Sequence, residues 1–245
     1  MSTTIQDSIN YAETFIQYSP LSAGLNFNPA TTIANDIQNT MMNAPFIWPW
    51  NRNEYSELVL ERGTQDYTVD LNDFGFLEKV TLIDPNSHDV FEIKDIYNNI
   101  ARAVATTSNT QKYQRPNSAC IIMVTYGTSL KLRFIGIPDK AYSTVLTYQK
   151  LVVPLTTLTG STGTWVVPDS FTDVFNSLFV GEAMANVDDA RAQQYRQRGI
   201  ATLLAKAEGL TEMQVNAFLE QYWSREHQVQ YRTQRTQMSG QAGGV

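Results

Sequence analysis

The sequence predicts an α+β protein: N- and C-terminal helices packed as a bundle, a central antiparallel β-rich domain (a sandwich or a small barrel), and an extended C-terminal tail. Three observations carry this. Apolar residues recur at three- and four-residue steps near the N-terminus and again from Phe171. Between these regions, short apolar runs are separated by turn residues at intervals of about 8–12 positions, the rhythm of an antiparallel sandwich or barrel. Beyond Trp223 the periodicity stops and the chain becomes rich in Gln and Arg. The expected divisions are residues 1–50 for the first helices, 51–165 for the β-rich domain, 166–223 for the helices completing the bundle, and 224–245 for the tail.

Ile5, Ile9, Ala12 and Ile16 share one helical face, and Pro20 requires that helix to end before it. A second helix opens with Asn28 as cap and Pro29 at its first position, carries Ile33, Ile37, Met41 and Ala44, and closes at Pro45. Phe46-Ile-Trp-Pro-Trp50 then reads as an aromatic wedge for core packing in preference to a ligand-stacking platform.

In the centre, Leu58–Leu60 and Tyr67–Val69 flank Arg62-Gly63-Thr64, the pattern of a hairpin with Gly at its turn. Phe76–Ile83 turns through Pro85-Asn86-Ser87 into Val90–Ile93, and Asp95 is placed to cap a short helix reaching Val104. The polar stretch Thr106–Gln114 reads as a mobile loop. Cys120–Tyr126 pairs through Gly127-Thr-Ser129 with Leu130–Phe134, and Ala141–Tyr148 returns after the Pro138-Asp139-Lys140 turn.

Thr156–Thr164 reads as a linker, and Ser170 with Asp173 as a capping box opening a helix with the stripe Phe171, Val174, Phe175 and Leu178. No proline interrupts the pattern before Gly209, a fitting residue past a helix end. Unbroken, this helix would hold about 38 residues and span about 57 Å, enough to project onto a neighbouring subunit; Gly181 and Gly199 are the alternative points of division. Thr211 with Gln214 starts a last helix, with Val215, Phe218, Leu219 and Tyr222 on its face.

Hydrophobic residues make up 42% of the chain, enough to bury a core, whereas charged residues are only 17%, with Asn, Gln, Ser and Thr filling the difference. Such a surface suits large protein contacts, because an amide costs less to desolvate than an ion. The net charge of −6 argues against a general grip on nucleic acid, which needs clustered Lys and Arg. A single cysteine, Cys120, excludes an intramolecular disulfide framework, and it reads as a small buried side chain. MSTTIQDSIN has neither a basic nor an apolar leader region, and no apolar run reaches the roughly 20 residues of a membrane span, so a soluble protein of a reducing compartment is expected.

Chemistry is hard to find. His88 and His227 lie in different elements without a nucleophile beside them, and with Cys120 they do not make a metal-ligand set. Asp169 and Asp173 sit where a helix N-terminus favours negative charge, and Asp188-Asp189 with Arg191 reads as a solvated or intersubunit face. Gly160-Ser-Thr-Gly163 lacks the Lys of a phosphate loop. The expectation is therefore no enzyme, no cofactor and no metal. The tail is the better feature: it reads either as a flexible solvated segment or as a docking peptide whose anchors, Arg225, Tyr231, Arg232 and Arg235, suit an acidic or amide-rich groove. A rival expectation is a β-sandwich module binding carbohydrate or peptide through Tyr126, Tyr142 and Tyr148, with the helices as an oligomerising stalk.

The order of parts has a family likeness. Trp48 and Trp50, then Gly63-Thr-Gln-Asp-Tyr67, Phe134-Ile-Gly-Ile-Pro-Asp-Lys-Ala-Tyr-Ser143, Leu146-Thr-Tyr-Gln-Lys150, Val167-Pro-Asp169 and a long Asp/Ala/Gln/Arg-rich helical stretch follow one pattern. From about Trp48 to Gly209 the chain resembles the head-to-tail adaptor (connector) proteins of tailed bacteriophages, the short-tailed ones above all. Their order and spacing carry the likeness, since each motif alone is weak. The resemblance implies a structural virion protein assembled in the host cytoplasm as a homo-oligomeric ring, a dodecamer, beneath the portal at the neck. Its partners would be the portal protein and the tail, nozzle or tail-fibre proteins, with genome DNA passing through the channel without tight binding, no membrane and no catalytic residue. Another neck or tail-completion protein is the nearest variant. On this reading Arg225, Tyr231, Arg232 and Arg235 dock the portal, while Asp188, Asp189, Arg191, Tyr195, Arg196 and Arg198 form a ring-interface helix.

Overall fold

The computed structural model describes residues 5–15, 29–93, 95–98, 112–125, 128–152, 168–186 and 189–223. They form a mixed α+β structure with five α-helices and two four-stranded sheets. The chain divides into two compact units, residues 26–160 and residues 1–25 with 161–245. The segment 1–50, expected as one helical part, is thus divided between them after residue 25.

With α1 (Ile5–Glu13) in the other unit, α2 (Pro29–Met42) comes first in the β-rich unit, and its stripe Ile33, Ile37 and Met41 is buried. Ala44, expected on the same stripe, is exposed because the helix has already ended. The aromatic wedge follows. Phe46 and Trp48 are buried and stacked at 5.7 Å, with Trp50 stacked on Trp48 at 6.1 Å. Trp48 Nε1–H donates to the Met41 carbonyl at 2.6 Å, satisfying one of the acceptors that a helix C-terminus leaves open. The Trp48 backbone N–H donates to Gln149 Oε1, and Asn51 Nδ2 to the Lys150 carbonyl, both at 3.1 Å, so the segment is sewn to a central strand.

The first sheet has the order β1 (Arg52–Leu60), β8 (Tyr142–Lys150), β3 (Phe74–Ile83), β4 (Val90–Ile93). The second has the order β2 (Asp66–Asp70), β7 (Ser129–Ile135), β6 (Ser118–Thr125), β5 (Asp95–Tyr97). They do not close into a barrel. The hairpins β3–β4 and β6–β7 form as their turn residues predict. Two other expected hairpins do not. β1 and β2 flank Gly63 yet lie in different sheets, and so do β7 and β8 about Pro138. Instead the two segments cross between sheets together, with Leu60 opposite Tyr142 before the crossing and Asp66 opposite Arg133 after it.

The crossing is held by backbone. Gly63 N–H donates to the Pro138 carbonyl at 3.0 Å, and Phe134 N–H to the Gln65 carbonyl at 2.9 Å. Gly63 at φ +86° and Gly136 at φ +91° occupy the left-handed region that other residues avoid. Tyr67 Oη accepts the Glu61 N–H at 2.7 Å and donates to the Thr64 carbonyl at 3.1 Å, tying the near side of the corner to itself.

One apolar cluster draws on both sheets: Leu60, Val80, Leu82 and Leu146 from the first, Val69, Leu130, Leu132 and Phe134 from the second. β7 alternates as a half-buried strand should, with Leu130, Leu132 and Phe134 inward and Lys131 and Arg133 outward. Each such side chain contributes about 1.5–3 kcal/mol by leaving water. Asp95, expected to cap a helix, instead begins β5, which pairs parallel with Ser118–Cys120. Tyr113 and Gln114 of the expected mobile loop pair with Ile137, while its residues 106–111 lie outside the described residues.

The helical unit contains α1 (Ile5–Glu13), α3 (Thr172–Ala185), α4 (Ala192–Lys206) and α5 (residues 212–223). The long helix of the sequence reading is divided, but not at its glycines: the break falls between α3 and α4. The glycines are where these helices touch. A Cβ on Gly181 would lie 2.7 Å from Arg196 Cγ and 2.9 Å from Arg196 N, and one on Gly199 would lie 2.6 Å from Leu178 Cδ2. Asp173 near Lys206, at 3.3 Å, fixes the antiparallel sense. The expected Ser170 capping box is absent: a 3-10 turn, Asp169–Phe171, precedes α3, and its N-cap residue makes no side-chain cap bond. The second capping box is present, with Gln214 N–H donating to Thr211 Oγ1 at 3.3 Å and Thr211 N–H to Gln214 Oε1 at 2.9 Å. Gly209, at φ +73°, makes the bend before it.

Gly181→Ala tests the helix contact. The added methyl meets backbone as well as a side chain, so it should lower stability by about 1–3 kcal/mol in urea unfolding despite alanine's better helix propensity. A neutral or stabilising result would contradict the close approach.

Candidate functional site

Four of the six expected ring-interface residues are engaged within their own unit. Asp189 Oδ1 accepts the Arg191 N–H at 2.9 Å, and Arg191 Nη2 reaches Asp189 Oδ2 at 2.7 Å. This contact holds the Asp189 carboxyl down at about 2. Arg191 Nη2 also donates to the Phe15 carbonyl at 3.2 Å, and Tyr195 meets the Phe15 ring edge-on at 5.7 Å. Arg196 Nη2 bonds Glu182 Oε2 at 2.5 Å, and Tyr222 Oη donates to the other Glu182 oxygen at 3.3 Å. These side chains therefore fasten α1, α3, α4 and α5 to one another. Arg198 is exposed. Asp188 lies outside the described residues, as do the expected docking residues Arg225, Tyr231, Arg232 and Arg235, and also His227, Tyr126 and Gly160–Gly163.

The two described tyrosines of the carbohydrate reading are not available for stacking on a ligand. Tyr142 and Tyr148 are each 2% exposed. Tyr142 Oη donates to Asp139 Oδ1 at 2.9 Å, and burial followed by that carboxylate pushes its phenol up to about 12. Tyr148 Oη donates to Asp73 Oδ1 at 2.6 Å, and burial again raises its pKa well above the usual range. Cys120 is fully buried, and burial pushes its thiol up. His88 is an exposed turn residue at φ +60°, its N–H donating to the Asp84 carbonyl at 2.9 Å. Among the described residues no group of three His, Cys, Asp or Glu side chains is placed to hold a metal ion, and no helix is long and apolar enough to cross a membrane.

The most developed polar cluster buttresses the corner. Asp84, at the end of β3, is buried and pairs with Lys140 from the β7–β8 connector. Asn86 N–H donates to Asp84 Oδ1 at 3.0 Å, and with the lysine it holds the carboxyl down at about 2. A buried carboxylate needs such partners, so this pair anchors the β3–β4 turn to the crossing. A second pair, Arg133 on Asp66 at 2.5 and 2.6 Å, joins β7 to β2 just past it.

What remains free for a partner is apolar surface and strand edge. Val90 is 65% exposed, Met123 51% and Met213 78%. Most edges are blunted in ways that discourage indiscriminate pairing. β1 carries a bulge between Tyr55 and Leu58 and exposes Glu54 and Glu57. β4 has the Arg115 guanidinium 3.9 Å above the Phe91 ring. β2 begins and ends in Asp. β6 is different: β5 pairs only with Ser118–Cys120, so among the described strands Ile121–Thr125 has one open side and carries no charge. The sequence places this run in the sheet but does not show that Ile122 and Met123 are exposed. Four apolar residues in succession, without alternation, were the available signal.

The Asp84–Lys140 pair makes a pH prediction. Its folded pKa lies below the ordinary carboxylate value, so its stabilisation is present above about pH 4 and is lost as pH falls through about 2. Asp84→Asn should therefore flatten the loss of stability between about pH 4 and pH 2 in thermal unfolding. Parallel wild-type and variant curves would contradict the assignment.

No protein-family model matches the chain, and no curated protein matches it.

Proposed function

We propose that this chain is a structural virion protein, a head-to-tail adaptor that forms a ring beneath a portal, extends the DNA channel and offers the tail its attachment surface. The observation that carries the reading is where the adaptor-like motifs fall. Gly63–Tyr67 and Phe134–Ser143 are the two sides of one corner, and Leu146–Lys150 is the C-terminal half of β8, the strand to which the Trp48 segment is sewn. Sequence pieces far apart in the chain thus serve one construction, which supports an architectural role for the motifs that carry the resemblance. In this reading the helices form a bundle, the sheets pack as a sandwich, and the tail from Arg225 onward meets the portal.

Surface composition agrees. A channel protein must let DNA slide, and each neutralised phosphate adds salt-sensitive affinity that hinders passage. The net charge of −6 avoids this. Ring subunits meet through two different faces, which suits a unit whose strand edges differ in charge and apolarity.

Deleting the residues after Ser224 should weaken co-sedimentation with assembled portal by about tenfold or more, since Arg and Tyr anchors dominate such contacts. Circular dichroism and the unfolding midpoint should be unchanged. Undiminished binding by the truncated chain would remove the docking role.

A further inference from the structure

The outward side of the first sheet can be read row by row from its register, because directly opposed residues of an antiparallel pair share a face. Val59, Ser143, Ile83 and Val90 stand opposite one another from β1 through β8 and β3 to β4, and Val145, Thr81 and Glu92 make the next row. Their chain neighbours Leu58, Leu60, Val80, Leu82 and Leu146 lie in the shared apolar cluster, so these rows face away from it. Farther along β8 the same face is closed: Thr147 and Gln149 are buried, and Gln149 holds the Trp48 segment. The two rows stay open, with Val59 51% and Val90 65% exposed and Ser143, Val145, Thr81 and Ile83 half-buried. A solvated sheet face ordinarily carries polar residues. Here the floor is small, mostly β-branched and uncharged, about 14 Å across its four strands. Acids stand at both edges, Glu54 on β1 opposite Thr147 and Glu92 on β4, and Lys79 on β3 is the nearest cation by register.

The same compact unit presents the opposite character at its corner. Tyr113 is 61% exposed, and the Arg62 guanidinium lies 5.5 Å from its ring centre. Lys112 precedes it and Arg115 follows, the latter held over Phe91. Arg62, Lys112 and Arg115 make no ion pair among the described residues, whereas Asp84 and Asp139 at this corner are taken by Lys140 and by the Tyr142 hydroxyl. Backbone bonds set the segment: Gln114 N–H donates to the Ile137 carbonyl at 2.8 Å, and Ile137 N–H to the Lys112 carbonyl at 3.1 Å. An aromatic anchor among unpaired cations is therefore presented preordered, which lowers the entropy cost of docking.

We infer that this corner docks on the open rows of a second copy of the chain. Tyr113 lies on Ser143, Val145, Thr81 and Ile83, and the cations meet the glutamates at the edges. The corner cannot serve its own sheet: Arg62 follows β1 by two residues, and the next N–H, that of Gly63, is fixed to the Pro138 carbonyl. Nor can two open faces serve each other about a two-fold axis, because acids at both edges would meet acids. Corner and face are different surfaces, so the contact is heterologous and runs on from copy to copy until it closes. It deepens the ring reading and rests on it for its place in a particle, but the test uses the chain alone. A neck ring held by other surfaces would survive failure of this contact, and the contact would stand in a protein of another role.

Sedimentation velocity on the purified full chain reads self-association directly. Wild type should associate in low salt and dissociate as salt rises towards about 1 M, where exposed charges are screened. Tyr113→Ala should weaken association by about tenfold, as loss of a buried aromatic anchor does. Glu54→Lys with Glu92→Lys, and separately Arg62→Glu with Lys112→Glu, should each weaken it by about tenfold, with circular dichroism unchanged. Glu208→Lys with Glu212→Lys, in the other unit, changes net charge as the first pair does and should leave association intact. Mixing the two weakened pair variants should restore it, because each corner then finds an edge of opposite sign. A monomeric wild type, an unaffected Tyr113→Ala chain, or pair variants no weaker than the Glu208 and Glu212 control would overturn the inference. So would failure of the mixture to associate, which would place face against face or corner against corner.

Discussion

The β-rich unit depends on a single constraint: two chain segments, adjacent in both sheets, must turn the same corner together. Gly63 N–H on the Pro138 carbonyl is the backbone bond at its apex, and the positive φ of Gly63 and Gly136 allows both segments to bend there. Either segment turning alone would leave its partner's ladder groups unpaired, a cost that buried backbone rarely bears. The ion pairs Asp84–Lys140 and Asp66–Arg133 stand on either side of this bend, and the shared apolar core follows from it. The corner sets which edges are left open and which residues face outward.

This also explains what could be read in the sequence. Strand positions, the α2 stripe, the turns at Pro85–Ser87 and Gly127–Ser129, and the Thr211 capping box all rest on interactions within a few residues, and local patterns report them. A Gly or Pro-Asp turn reports only that the chain bends. Whether the next strand returns beside the last or crosses to another sheet is decided by the partner segment about 70 residues away, as Gly63 and Pro138 show. The same holds for Gly181 and Gly199. Their missing side chains suggested breaks, but their role is to let α3 and α4 approach, and that is visible only once both helices are present.

The candidate site was legible in part. Arg191, Tyr195 and Arg196 stood out as a charged helical face, and they are indeed concentrated in one place, but they bind Asp189, Phe15 and Glu182 of the same chain. A charge pattern does not say whether its complement lies within the chain or on a neighbour. Tyr142 and Tyr148 teach the same lesson, since a tyrosine in an alternating strand can face either way, and here both rings are buried with their hydroxyls donating to Asp139 and Asp73. The exposure of Met123 is not legible locally, because an apolar run without alternation does not say which of its residues face outward.

The proposed role is that of a repeated structural part at a virion neck. Electron cryomicroscopy of particles containing it, with its density assigned by fitting the β-rich unit, tests this most directly. The account predicts a ring of copies on the portal axis, between portal and tail. Density elsewhere in the particle, or particles whose necks form normally without the chain, would contradict it.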